Sequence, residues 1–197
     1  MPARGGHPDG GTYRLFIAVD PPLELAAELA GWARAQHVPG SGLRVMAPES
    51  IHLTLAFLGE RAASDAGPIS GAIDTAVTEW SQAGGPGPVE LELGPPAWLP
   101  PRHPRALAIE VRDAAGRLAA LREALGESLA NTLGWHDERR RFRPHLTTGR
   151  LSGRPIGPVP LEPTPPGTFA VDEAVLYRSF LDPAGARYEA LDSVRLT

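Results

Sequence analysis

The sequence predicts an α+β protein built from two pseudo-symmetric lobes, and three observations carry that expectation. One order of elements occurs twice, because a strand-like run, a helical run and an alternating strand follow Arg14 and follow again from Arg105. The spacing agrees, with 38 residues from Arg14 to His52 and 40 from Arg105 to His145. Composition adds the third: 22 Gly and 22 Pro in 197 residues favour short elements joined by loops over a helical bundle. At roughly 150 residues per domain the length suits one domain or two small fused lobes. We expect a flexible tail over residues 1–12 and a single bilobal domain over 13–197.

The run Arg14-Leu15-Phe16-Ile17-Ala18-Val19-Asp20 has the β-branched and aromatic character of a buried strand and stops at Pro21-Pro22. Apolar residues at Leu23, Ala26, Ala27, Ala30 and Ala33 then predict a helix to about Gln36, closed by a loop through Gly40 and Gly42. The segment from Leu43 to Gly59 ends in a clear alternation, residues 65–82 read as a second helix, and Val89-Glu90-Leu91-Glu92-Leu93 as a strand before the proline-rich segment 94–105. In the second half Ala106 to Asp113 is strand-like, and Leu118, Leu121, Leu125, Leu129 and Leu133 recur at helical spacing. Phe142 to Leu151 occupies the place that Ser50 to Leu58 holds in the first half. Residues 153–168 read as a loop, and two strand-like runs after it complete the sheets.

Cysteine is absent, which removes disulfides, thiolate metal sites and a Cys nucleophile, and is compatible with the cytoplasm. Lysine is absent too, so all 19 basic residues are Arg. That excludes Schiff-base chemistry, P-loop phosphate lysines and nucleotidyl-lysine intermediates, and with them an ordinary ATP-dependent ligase. A net charge of −4 means that a nucleic-acid partner must be held by a local patch and not by a global field. The first dozen residues lack the apolar stretch of a signal peptide, and the longest apolar run, Leu15–Val19, is far short of the roughly 20 residues that span a bilayer. A soluble monomer without membrane association is expected.

Two tripeptides carry the chemistry, His52-Leu53-Thr54 and His145-Leu146-Thr147. Chance supplies roughly 0.04 copies of one in such a chain, and two at equivalent places in a repeat point to a shared purpose. On a strand, residues i and i+2 share a face, so each motif presents one imidazole and one hydroxyl while Leu53, Leu55 and Leu146 turn into a core. If the lobes pack about a pseudo-two-fold, the pairs face each other across a cleft and supply an acid, a base and two phosphate-oxygen donors. Arg150 lies on the opposite face of a regular strand, but Gly149 permits a bulge that re-aims it. Neither a Zn motif nor a Cys/His framework occurs, and no metal or cofactor is expected.

With these motifs the chain resembles the 2H phosphoesterases, and within them the bacterial RNA 2′,3′-cyclic phosphodiesterases once called 2′-5′ RNA ligases. The likeness runs from about Arg14 to Tyr188 and includes Arg14-Leu15-Phe16-Ile17-Ala18, His52 to Gly59, Pro104-Arg105, Phe142 to Thr148 and Leu176-Tyr177-Arg178-Ser179. It implies a bilobal fold with antiparallel-rich sheets around a central cleft, helices outside, and metal-free phosphodiester chemistry. His52 and His145 would be acid and base, and Thr54, Thr147 and Arg150 phosphate ligands. Thr148-Gly149 and Arg178 depart from the family's usual aliphatic pair and acidic residue.

The expected reaction is hydrolysis of a 2′,3′-cyclic phosphate on RNA or a nucleotide, with 2′-phosphate as the product the resemblance implies. His145 is assigned as base and His52 as acid, an order that regiochemistry could reverse. Two alternatives stand beside it: ATP-independent 2′-5′ ligation by the reverse reaction, and a non-catalytic RNA-end reader. Arg139, Arg140, Arg141 and Arg143 form a basic cluster that could contact flanking RNA phosphates, and Phe57, Trp98 or Tyr177 could stack a base.

Overall fold

Both sheets are antiparallel throughout, and each draws strands from the two halves of the chain. A computed structural model describes residues 11–36, 42–136, 142–151, 159–182 and 185–196. In the first half, β1 (Thr12–Val19) leads through α1 (Leu23–Ala35), β2 (Leu43–Val45) and a short 3₁₀ turn at Pro48–Ser50 to β3 (Leu53–Ala62). After α2 (Ala66–Gly84) and β4 (Val89–Leu99), the second half repeats the unit as β5 (Ala106–Arg112), α3 (Arg117–Leu133) and β6 (His145–Leu151). Three further strands follow: β7 (Thr168–Val171), β8 (Glu173–Asp182) and β9 (Gly185–Arg195). β1 pairs with β3 as β5 pairs with β6, which makes the predicted repeat a repeat of pairing as well as of order. The sheet orders are β3-β1-β8-β9 and β2-β6-β5-β4-β7.

The helices hold the sheets by the stripes that the sequence marks. In α3, Leu118, Leu121, Leu125 and Leu129 are fully buried in the core that also takes Leu15, Ile17 and Val19 from β1. Each such side chain contributes roughly 1.5–3 kcal/mol by leaving water. α2 packs on α3 and β9, and α3 also meets β3. α1, by contrast, reaches β2 and β6 of the other sheet, where Ala33 joins Trp98 and Leu107 in a second, smaller cluster. The apolar faces of the strands are thereby covered, and the faces bearing the motif histidines are left to line a cleft.

Two expectations need correction. Residues 11 and 12 belong to the fold and not to a tail, since Thr12 pairs with Ala62 and the Gly11 carbonyl accepts a hydrogen bond from Ala63 N–H at 2.9 Å. β4 also runs on past Leu93 through Gly94, Pro95 and Pro96 to Leu99. A register shift between Leu93 and Pro96 absorbs the missing proline N–H groups, after which Pro96 to Leu99 pair regularly with β5. Trp98, considered as a base stacker, is thereby buried against α1 and donates its Nε1–H to the Val159 carbonyl at 2.9 Å.

Candidate active site

The two motifs sit on strands that break their pairing at the same point. In β3, Thr54 lies opposite Ala18 and Ala56 opposite Ile17, so Leu55 is an extra residue. In β6, Thr147 lies opposite Ala108 and Gly149 opposite Leu107, so Thr148 is the extra residue. Each bulge reverses the in-and-out alternation beyond it. Burial repeats accordingly in both strands: a half-buried His, a buried Leu, a half-buried Thr, two buried residues and then an exposed one, Phe57 or Arg150. The bulge brings Arg150 back to the face of His145 and Thr147. Thr148, turned fully inward, satisfies its hydroxyl by donating to the Leu107 carbonyl at 3.3 Å. Gly149 lies close under β2, where a Cβ would stand 2.8 Å from Leu43 Cδ1 and 3.4 Å from the Arg44 carbonyl oxygen, so a larger residue there would have to displace the end of the Leu43 side chain.

His52, Thr54, His145, Thr147 and Arg150 all line one cleft of about 840 Å³. β3 and β6 meet across it, so the two sheets each contribute one motif. Among the described residues the lining includes four arginines and three histidines and no carboxylate, in a protein whose net charge is −4. This is a site for an anion, made locally positive against the charge of the whole. Among the described residues no three His, Asp or Glu side chains gather closely enough to hold a metal ion.

The two imidazoles are anchored alike and surrounded differently. His145 Nδ1 lies 2.7 Å from the carbonyl oxygen of Arg143, two residues earlier, and donating its proton there leaves Nε2 for the cleft. His52 hydrogen-bonds the backbone of Ser50, also two residues earlier. Its ring, however, stacks on Phe16 with centroids 4.8 Å apart and meets the edge of Tyr188 at 5.0 Å. Burial in this wall lowers the His52 pKa to about 4, assisted by the positive charge of Arg150 and opposed by the Ser50 hydrogen bond, with His145 adding a smaller lowering. His52 is therefore neutral at pH 7 in the free protein, the opposite of what a pre-protonated acid requires.

The remaining candidates divide. Arg143 lines the cleft and is ion-paired with Glu110, the cross-strand partner of His145. Phe57 lines it with an exposed ring. Tyr177 does not, which corrects its assignment as a base stacker: it lies against Phe16 at 5.2 Å and donates its hydroxyl to Asp20 Oδ2 at 2.5 Å. Burial and that carboxylate raise the Tyr177 pKa, and it stands behind the histidine as part of its wall. Arg139, Arg140 and Arg141 lie outside the described residues. Sequence reasoning passed over Arg105, Arg122 and Tyr188, which also line the cleft. The β1–β8–β9 register places Tyr188 beside Phe16, a relation that no local pattern announces.

Paired His-x-Thr strands facing one cleft in an antiparallel two-sheet α+β fold define a two-histidine phosphoesterase. The family model of the 2′-5′ RNA ligase superfamily matches residues 21–182, and the chain belongs to that superfamily and, within it, to the RNA 2′,3′-cyclic phosphodiesterase family. The RNA 2′,3′-cyclic phosphodiesterase of Escherichia coli (strain K12) is 31% identical over 188 residues, covering 93% of this chain and 97% of the relative. Its Thermus thermophilus counterpart is 30% identical over 192 residues, covering 93% and 90%. Among solved structures, a Thermus thermophilus protein superimposes with a TM-score of 0.74 at 27% identity, over 93% of this chain and 97% of its own. Escherichia coli LigT complexed with 3′-AMP does so with a TM-score of 0.72 at 28% identity, over 95% and 99%.

Proposed function

We propose that this protein hydrolyses terminal 2′,3′-cyclic phosphates of RNA to 2′-phosphates, without a metal ion, through its two His-x-Thr motifs. The observation that carries the reading is the convergence of both imidazoles, both threonines and Arg150 in one cleft, whose described lining has no carboxylate. Water attacks phosphorus as a base takes its proton, the P–O3′ bond breaks, and an acid protonates O3′ as it leaves. Thr54, Thr147 and Arg150 hold the non-bridging oxygens and meet the growing charge. The electrostatics favour His52 as base and His145 as acid, reversing the order assigned from sequence, since His52 is the ring kept neutral by its surroundings. With a 5′-hydroxyl attacking in place of water, P–O3′ breaking and O3′ protonated as before, the same groups would perform 2′-5′ ligation.

The test is incubation of purified protein with 2′,3′-cyclic mononucleotides in EDTA, with identification of the product isomer. Undiminished turnover to the 2′-phosphate is expected. Binding without consumption would assign the protein to the RNA-end readers, and loss in EDTA with rescue by one divalent ion would overturn the metal-free reading.

The rate should be bell-shaped in pH, with an acid limb displaced from the usual histidine range. Falling pH protonates the base, and the His52 pKa of about 4 places the acid limb of kcat/KM, which reports the free enzyme, near that value. An anionic phosphate against the ring raises that pKa, so the acid limb of kcat should lie at higher pH than that of kcat/KM. Coincident acid limbs, both near 6.5, would mean that a different group serves as base.

A further inference from the structure

The two bulges beside the motif threonines are equivalent in pairing and are held in different ways. In β6 the extra residue is Thr148, and its carbonyl accepts the Met46 backbone N–H at 2.8 Å, because β2 and the residue after it run along the far side of β6. In β3 the extra residue is Leu55, and among the described residues β3 is an edge strand, paired on β1 alone. No second strand lies there to hold the bulge. The Leu55 carbonyl instead accepts the Nε–H of Arg122 at 3.2 Å. Arg122 follows Leu118 by four residues on α3, at the margin of the stripe that Leu118, Leu121 and Leu125 bury, and α3 packs on β3. Its guanidinium carbon also lies 4.6 Å from the centroid of the Phe142 ring, in the segment that leads into His145. A planar guanidinium resting on a ring is hindered from turning, which keeps Nε aimed at the bulge.

A bulge sets the direction of the side chains around it, and Thr54 immediately precedes this one. A hydroxyl that must meet a phosphate oxygen at hydrogen-bond distance tolerates little error, since a displacement of about 1 Å can cost on the order of 100-fold in rate. We propose that Arg122 is a positioning residue for the first motif: by holding the Leu55 carbonyl it fixes the bulge that aims Thr54 at the phosphate. It gives the edge strand β3 what the Met46 backbone N–H gives β6. Arginine is specific to this task, because in lysine the atom at the place of Nε is a methylene, which donates nothing. This inference rests on the phosphodiesterase reading above.

The experiment measures kcat and KM on a 2′,3′-cyclic mononucleotide for Arg122→Met and Arg122→Lys, each alone and combined with Thr54→Ala or Thr147→Ala. Arg122→Met should lower kcat on the order of 10- to 100-fold with a smaller change in KM, and Arg122→Lys should be about as slow although it keeps the charge. With Thr54→Ala already in place, either Arg122 substitution should cost less than about twofold more, because the hydroxyl it aims is gone. With Thr147→Ala in place, the full loss should recur. Both variants keep a long stem on α3, so either one carries the comparison. Near-wild-type kcat in Arg122→Lys would make Arg122 a cleft charge, and near-wild-type kcat in Arg122→Met would leave it no part in turnover. Equal further losses in both threonine backgrounds would make it a general support of the fold. Each of these results overturns the positioning role. Failure of the wild type to consume the mononucleotide would overturn the phosphodiesterase reading itself, a result separable from all of them.

Discussion

Replacing His145 by Ala should reduce kcat by about 10²- to 10⁴-fold, and replacing His52 by Ala should do the same, the range for a positioned general acid or base. The double variant should be little worse than either single one, because once one proton transfer fails the other has nothing to complement. His145 is half-buried and anchored by one hydrogen bond, so its loss should leave the fold intact. His52 is packed against Phe16 and Tyr188, and His52→Ala opens space there, so thermal unfolding must accompany the rate measurement. His52→Gln keeps most of the volume and should be as slow as His52→Ala while unfolding close to wild type. Each single variant should also lose one limb of the pH profile. Near-wild-type turnover with an intact bell in either would make that imidazole a satisfied strand residue and end the paired-histidine mechanism.

The elements that sequence reasoning found were those whose signal is periodic or duplicated. Leu118, Leu121, Leu125 and Leu129 mark α3 because a helix repeats its buried face at that spacing, and all four are fully buried. The His-Leu-Thr copies were legible because duplication identifies them without reference to their surroundings. The bulges were half visible: Gly149 suggested that Arg150 could be re-aimed, but the extra residue is Thr148, and its counterpart Leu55 carries no glycine cue at all. A bulge depends on what two neighbouring strands can jointly accommodate, which neither strand's sequence records alone. The wall around His52 was illegible for the same reason, since Phe16, Tyr177 and Tyr188 meet through the β1–β8–β9 register across more than 170 residues. With that wall went the acid-base order, because the pKa of His52 is set by neighbours distant in sequence. β4 shows a different limit, as its sequence pattern stops at Leu93 before a proline-rich segment while a register shift lets the strand continue to Leu99.

Arg150→Ala should lower kcat by about 10²- to 10³-fold, the usual cost of removing one preorganised donor from a developing oxyanion. Arg150→Lys should recover only part of this loss, because a planar guanidinium holds two phosphate oxygens at once where an ammonium acts as a point charge. The pH profile separates the two properties. Arg150 is the second-largest influence lowering the His52 pKa, after burial. Removing its charge in Arg150→Ala should therefore move the acid limb of kcat/KM upward from about 4 toward the ordinary histidine range. Arg150→Lys keeps the charge, so its acid limb should stay near the wild-type position while its kcat falls. A variant pair in which both limbs stayed in place would show that Arg150 does not act on His52 across the cleft. Wild-type kcat/KM in Arg150→Lys would show that charge alone suffices, and the two-oxygen grip would have to be assigned to Thr54 and Thr147.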